Sequence, residues 1–301
     1  LPYGQLTAQQ LNLSGVTRRE TNAPSDLDTQ FKLRSQAVRS EWAQAAGAQL
    51  DAHVIYSLTT PITRIQSLQL TLDQPRSEWA QARRLRLAGD FSQTNAPAIT
   101  NESWGFWAKL APYVIQWKLE SENLRVWQLR FPMLNTAGSW SAPKLEVTSL
   151  ESALAGGEAD IALQLDVTDR KLWTRLKTDV DVQRLAHLMS TNAQEVLAEI
   201  KWDKAPELNL EGRIELPPWT GKATNWNEIL LERTWVAGGL RVGPVAFQEL
   251  SVRSLQTDFA FTNGVVSVTN LHLVRPEGEL RITGLADLPK QRFVADLDSS
   301  I

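Results

Sequence analysis

Residues 144–180 read KLEVTSLESALAGGEADIALQLDVTDRKLWTRLKTDV, and residues 264–301 read GVVSVTNLHLVRPEGELRITGLADLPKQRFVADLDSSI. Set 121 positions apart without a gap, the two stretches match at Val147/Val268, Thr148/Thr269, Leu150/Leu271, Gly157/Gly278, Glu158/Glu279, Ile161/Ile282, Asp166/Asp287 and Leu176/Leu297. Similar pairs such as Lys171 with Arg292 fill gaps between them. Self-similarity at one long offset points to a supersecondary unit used more than once rather than to a fold built around one catalytic pocket. The second copy stops at Ile301, where the first runs on into Asp181 and a helical pattern. The chain therefore reads as a piece of a longer array: a β-rich segment with helical links over 1–143, a repeat unit over 144–264, and the start of the next unit over 265–301.

Outward from the repeat, period-two alternation dominates. Leu68, Leu70 and Leu72 alternate with Gln69 and Thr71, and Leu85 and Leu87 flank Arg86. Ile161, Leu163, Leu165 and Val167 enclose Ala162, Gln164 and Asp166; Val266 and Val268 precede Leu271 and Leu273, and Leu280 and Ile282 follow a turn. Alternation of this kind makes strands with one apolar and one polar face. Asn263-Gly264, Pro276-Glu277-Gly278, Gly156-Gly157, Gly238-Gly239 and Leu288-Pro289-Lys290 read as turns. The runs are too close for βαβ crossovers, so antiparallel pairing is expected, with roughly 15–18 strands.

A few short helices are expected within this pattern. Ser40-Glu41-Trp42-Ala43-Gln44-Ala45 recurs word for word as Ser77–Ala82. Each copy lies between strand patterns, as a helical or looped link, and Pro75 fits a helix start before the second. On that reading Trp42 and Trp79 pack the links onto the sheet. Residues 100–110 and 225–231 are further helices; 184–200 is the longest, broken near Ser190-Thr191-Asn192. Trp104, Trp107 and Leu110 share one helical side and face one core.

So many one-sided strands exceed what a few short helices can cover. Either the sheet closes on itself as a sandwich or barrel, or it curves into an open trough whose apolar interior takes another molecule. The bulk numbers narrow the function classes. A net charge of −3 lacks the basic field of a nucleic-acid binder. The absence of cysteine excludes disulfides and thiolate metal sites, and fits both the cytoplasm and a periplasm. No run of 18 apolar residues and no signal-peptide pattern occurs in the sequence. Twelve Trp against three Tyr is unusual usage, which suits core edges or half-wet positions.

Enzymatic motifs do not assemble. His53, His187 and His272 have no ligand spacing, so no metal or cofactor is expected. Asp179-Val180-Asp181 resembles a metal-binding DxD, but ends a strand before a helix, where Asp serves as a cap. Glu120 and Glu122 form an acid pair of the glycosidase kind; flanking Ser121 between Leu119 and Leu124, they read as a solvated turn. The Gly-Gly pairs lack the continuation of a phosphate loop, and no GxSxG occurs.

The string Phe261-Thr262-Asn263-Gly264-Val265-Val266-Ser267-Val268-Thr269-Asn270-Leu271, with its continuation Pro276–Gly284, resembles the repeating unit of AsmA-like proteins. Asp296–Ile301 is similar to the lead-in to that family's helical linkers. Residues 179–185 show the same lead-in with its helix attached, followed by Lys201-Trp202-Asp203, Pro206 and Leu208-Asn209-Leu210. The resemblance covers 144–301, and reaches 1–143 through strand character alone. It implies a periplasmic protein of the AsmA and TamB type, anchored to the inner membrane by a helix outside this sequence. It further implies a long, strongly curved antiparallel sheet forming a hydrophobic groove with a few short helices, and no catalytic residues. Such a groove carries phospholipid between the inner and outer membranes or supports outer-membrane assembly; its partners are acyl chains and membrane proteins at either end. Under this reading Leu68, Leu70, Leu72, Leu85, Leu87, Ile161, Leu163, Leu165, Val167, Val266, Val268, Leu280 and Ile282 line the groove. The alternatives are a periplasmic or extracellular β-sandwich that binds polysaccharide on Trp platforms, and a structural β-repeat stalk.

Overall fold

The computed structural model describes residues 7–19, 25–41, 43–59, 63–93, 102–188, 191–220, 232–248 and 250–300. The helix expected at 225–231 and Trp42 lie outside the described residues. The chain forms two compact units, residues 1–152 and 153–301. Both are mostly β, with antiparallel pairing throughout the described ladders. Of 24 described strands, 16 are longer than three residues.

The first unit contains β1 (Thr7–Gln9), β2 (Asn12–Arg19), β3 (Asp26–Ser35), β4 (Ala37–Arg39), β5 (Ala43–Ala45), β6 (Gly47–Ser57), β7 (Thr63–Asp73), β8 (Arg76–Ser77), β9 (Ala80–Gln81), β10 (Arg84–Gln93), β11 (Tyr113–Val126), β12 (Leu129–Ser141) and β13 (Lys144–Leu154). Its main sheet runs β2-β3-β6-β7-β10-β11-β12-β13, each strand hydrogen-bonded to the next. Among the described residues β2 has no partner on its outer side, and the sheet does not close into a barrel. A second ladder joins β1, β4, β5, β8, β9 and the far ends of β11 and β12. Irregular residues separate the two ladders strand by strand: Gln10, Gln74 and Asn123 adopt positive φ, and Gln36, Ala46 and Arg83 interrupt their strands.

Both SEWA copies are hairpin tips, the looped and not the helical form of the expected link. In β4–β5 the Ser40 hydroxyl donates to Ala43 O (3.1 Å) and accepts from the Ala43 N–H (3.0 Å). In β8–β9 Ser77 and Ala80 repeat both bonds at 3.1 and 3.0 Å. A serine that brackets a turn in this way outcompetes the helix propensity of the Ala and Gln that follow. Trp79 consequently stands 59% exposed at its tip instead of packing on the sheet.

Residues 102–109 form a 3-10 segment broken at Gly105, whose φ of 56° lies in the left-handed region. Trp104 is buried, Trp107 stacks on Trp140 with ring centroids 5.3 Å apart, and the Trp140 Nε1–H donates to Leu110 O at 2.8 Å.

The second unit contains β14 (Gly157–Asp166), β15 (Lys171–Thr178), a 3-10 turn (Val182–Leu188), α1 (Thr191–Glu199), β16 (Ile200–Trp202), β17 (Glu207–Glu215), β18 (Thr234–Val242), β19 (Val245–Phe247), β20 (Leu250–Val252), β21 (Ser254–Thr262), β22 (Val265–Val274), β23 (Glu279–Asp287) and β24 (Arg292–Ser300). Its main sheet runs β14-β15-β17-β18-β21-β22-β23-β24, and β16-β19-β20 form a small sheet of their own. Of the broken helical stretch expected at 184–200, the structure describes a 3-10 turn at Val182–Leu188 and a helix at Thr191–Glu199; residues 189–190 lie outside the described residues. Gly238 and Gly239 sit mid-strand in β18 rather than in a turn. Glu120 and Glu122 likewise lie inside the 14-residue β11, not at a turn.

The 121-residue offset is structural. It carries β13, β14 and β15 onto β22, β23 and β24 within about one residue at each strand start. In the turn after β14, Asp166 Oδ1 accepts from the Asp169 N–H at 3.0 Å; in the turn after β23, the matched Asp287 Oδ1 accepts from the Lys290 N–H at 3.2 Å. Both turns end on a residue with positive φ at the matched position, Arg170 (56°) and Gln291 (51°). The DxD tract divides its labour. Asp181 Oδ1 accepts from the Gln183 N–H (3.1 Å) and caps the 3-10 turn, whereas Asp179 Oδ1 takes the Glu158 N–H of β14 (2.7 Å).

Candidate functional site

Residues directly opposed across an antiparallel ladder project to the same side, so the register assigns every side chain to a face. In the first unit Leu13, Leu33, Leu50, Leu70, Leu87 and Leu119 oppose one another on six successive strands, and Thr136 and Leu150 continue the line. Leu68 belongs to the next row on that face, and Leu72 and Leu85 oppose each other in the row on the other flank. All five alternating leucines singled out in this unit thus share one face.

That second row reads Gly15, Phe31, Ala52, Leu68, Gly89, Trp117 and Gly138. Large rings lie over small neighbours: a Cβ on Gly138 would stand 2.6 Å from Cζ2 of Trp117. The 102–111 segment covers the Trp140 end of this face, where Trp140 and Ala111 are buried. Of the leucine row, Leu13 is 65% exposed and Leu33, Leu50, Leu70, Leu87 and Leu119 are half-buried, shielded by one another and by no second layer among the described residues.

The second unit has the same design. Ile161, Leu176, Leu210, Gly238, Phe259 and Val268 form one row, and Leu163, Thr174, Gly212, Val236, Phe261 and Val266 the next. Leu165, Leu280 and Ile282 fall on this face by alternation from those rows. Leu165 is only 8% exposed, more enclosed than the others. Val167 stands apart from the open face. It lies in the turn after β14, is 1% exposed, and its carbonyl accepts from the Trp219 Nε1–H at 2.8 Å.

The opposite faces are polar and charge-paired. Lys32 opposes Asp51 (3.4 Å), Arg86 opposes Glu120 (3.8 Å) and Arg175 opposes Glu211 (3.3 Å). A hydrogen bond from Gln49 holds the Asp51 carboxyl below its ordinary pKa against the opposing effect of burial, with Lys32 adding to the lowering. A hydrogen bond from Lys118 does the same for Glu120. Carboxylates lowered in this way stay ionised and do not serve as general acids at neutral pH. His53 pairs with Asp28 at 2.7 Å and His272 with Glu279 at 3.0 Å. Among the described residues no group of three or more His, Asp or Glu side chains is arranged to hold a metal ion.

Sequence reasoning missed the row of arginines across the second ladder of the first unit. Arg39 opposes Gln44, Gln44 opposes Arg76, Arg76 opposes Gln81, Gln81 opposes Arg125, and Arg125 opposes Arg130. The signal was present in part, because the repeated hexapeptide is RSEWAQ once Arg39 and Arg76 are included. Comparison of the chain with protein-family models, with curated proteins and with solved structures finds no match.

Proposed function

We propose that this chain is a non-enzymatic, lipid-handling piece of a bacterial cell envelope, whose apolar sheet faces take phospholipid acyl chains. It conducts phospholipid between inner and outer membrane, or supports outer-membrane assembly, from a periplasmic location with an inner-membrane anchor outside this sequence. The observation that carries the reading is the row of six leucines on successive strands, five half-buried and Leu13 exposed, with nothing laid over it among the described residues. Contiguous exposed apolar surface on this scale marks a site of interaction.

The physics of such a face suits a chain-like ligand. Each acyl methylene moved from water onto it gains about 0.8 kcal/mol. The headgroup stays in solvent. Successive strands offer near-identical leucines, so no position is a deep well and a lipid slides at small cost. The charge-paired opposite faces supply solubility.

A polysaccharide-binding role is the second reading, and one observation favours it. Trp173 and Trp235 lie on the polar face of the second unit, each opposite Arg213 from a neighbouring strand. They are 36% and 37% exposed, and such rings suit sugar stacking.

The test is native mass spectrometry of the purified chain with organic extraction of whatever co-purifies. Bound phospholipid is expected, and its loss from a Leu70→Asp, Leu87→Asp variant with unchanged circular dichroism supports the reading. Leu165→Asp is a poor probe, because that side chain is buried and its replacement disrupts packing. A lipid-free chain that also fails to take up added phospholipid refutes the proposal; glycan-array binding lost on Trp173→Ala then favours the second reading.

A further inference from the structure

We propose that the arginine row and the exposed tryptophan tips of the first unit form a docking surface for an anionic phospholipid bilayer. Three hairpins of this unit turn at the same end. Two are the RSEWAQ copies at 39–44 and 76–81, and the third is RVWQLR at 125–130. Arg39, Gln44, Arg76, Gln81, Arg125 and Arg130 oppose one another in sequence across the ladder. Opposed residues share a face, so four arginines and two glutamines form one line about 24 Å long at ~4.8 Å per strand.

No carboxylate interrupts this line. Elsewhere in the unit some cations face acids directly, as Lys32 faces Asp51 and Arg86 faces Glu120. Here Arg125 directly opposes Arg130. Among the described residues Arg39, Arg76, Arg125 and Arg130 form no ion pair, while Arg64, Arg84 and Arg86 each have one. Like charges in direct opposition destabilise a ladder, and an anionic ligand relieves that cost. A depression of about 510 Å³, lined in part by Thr7, Arg39, Gln44 and Arg76, lies at one end of the line. Segments 37–46, 75–83 and 124–131 carry five arginines against two glutamates, in a chain whose net charge is −3.

The tips select a bilayer over a soluble polyanion. Trp79 is 59% exposed and Trp127 80%, and the Trp127 N–H donates to Trp79 O at 3.1 Å, so the two stand on adjoining tips. Tryptophan favours the wet boundary of a membrane. Each tip leads the arginine row by two to three residues, about 7–10 Å, comparable with the 5–10 Å depth to which interfacial segments bury their apolar side chains. Tryptophans would reach the headgroup–acyl boundary while guanidinium groups sit at the level of the phosphates and bind them bidentately. This surface is separate from the acyl-binding face and does not depend on it.

The experiment is flotation of the chain with phosphatidylcholine vesicles, with and without phosphatidylglycerol, at low and moderate salt. Binding is expected only with phosphatidylglycerol and is weakened by salt. Arg76→Ala, Arg125→Ala and Arg130→Ala together are expected to lower partitioning about 100-fold, at roughly fivefold per arginine. The corresponding Lys variants keep most of the binding. Trp79→Ser with Trp127→Ser weakens binding but leaves its salt dependence. Arg175→Ala, Arg213→Ala and Arg281→Ala in the second unit remove equal charge and leave binding near wild type. Circular dichroism checks that each variant is folded, and extraction of co-purified lipid separates this result from that of the acyl-binding face. The inference is overturned by absence of binding, by equal losses in the two arginine triples, or by complete competition from inorganic phosphate.

Discussion

Gly138→Ala probes the close packing of β11, β12 and β13. A Cβ at Gly138 would stand 2.2 Å from Glu146 O on β13, and 2.6 and 2.8 Å from Cζ2 and Cε2 of Trp117 on β11. Ordinary contact begins near 3.4 Å, so the backbone of β13 must retreat by about 1 Å and the indole must also move. Overpacking of this kind costs about 1–3 kcal/mol. If the half-buried indole swings away, about 100 Å² of its burial is lost, about 2.5 kcal/mol more at 25 cal/mol/Å². The two routes are partly exclusive, so a loss of about 3 kcal/mol is expected. Gly243→Ala is the internal control, since nothing lies within 4 Å of its added Cβ and its φ is not positive. Removing a flexible glycine there is neutral or stabilising by about 0.4–1 kcal/mol. Urea unfolding followed by circular dichroism measures both, with m-values compared to detect separate unfolding of the two units. A Gly138→Ala loss no larger than the Gly243→Ala change would refute the close packing of β11, β12 and β13.

Two further outcomes follow from the polar groups. Thr136 continues the leucine row, is 6% exposed, and its hydroxyl has no hydrogen-bond partner among the described residues; Thr136→Val is expected to raise stability by about 1 kcal/mol in the same assay. Asp51 and Glu120 are held below their ordinary pKa by Gln49 and Lys118 respectively. A lowered carboxylate stabilises the fold above its unfolded pKa and loses that contribution as pH falls through the folded value. The melting temperature should therefore stay level from pH 8 to 5 and drop below about pH 4. Asp51→Asn should shrink that drop by well under 1 kcal/mol, its partner Lys32 being mostly exposed; a melting temperature that rises on acidification contradicts the assignment.

The two-faced strands were legible because alternation is local: Leu68, Leu70 and Leu72 fix which side of their strand is apolar whatever pairs with it. The alignment of six leucines on six strands was not. Register depends on turn lengths and on bulges, such as those at His53/Val54 and Ala137/Gly138, which sequence does not mark. Ser121 misled for the opposite reason. It is 2% exposed on the apolar side of β11, so a polar letter in a core position made a mid-strand run look like a turn. The SEWA copies left helical and looped links both open because Ala, Glu and Gln favour helix, whereas the serine bracket that makes them hairpin tips needs the strands on either side. The arginine row needed a third tip, RVWQLR, whose letters hardly resemble RSEWAQ; only the ladder aligns Arg125 with Gln81.

These misreadings are informative about where function lies. Over most of the molecule each local choice agrees with the fold: leucine faces leucine on one side of the sheet, and acid faces base on the other. Consistency of that kind is what a folding landscape selects. Two features break it. One is apolar area left without a second layer among the described residues, which forgoes burial that a sandwich of the same strands would gain at about 25 cal/mol/Å². The other is Arg125 against Arg130 beneath exposed tryptophans, where a single glutamate would stabilise the ladder. Departures that lower stability without serving the fold are expected at sites of interaction. On the two proposals they take different ligand chemistry, hydrocarbon for the first and phosphate for the second, and a phospholipid carries both. That shared chemistry is the reason to test the leucine and arginine variants against the same lipids rather than as unrelated surfaces.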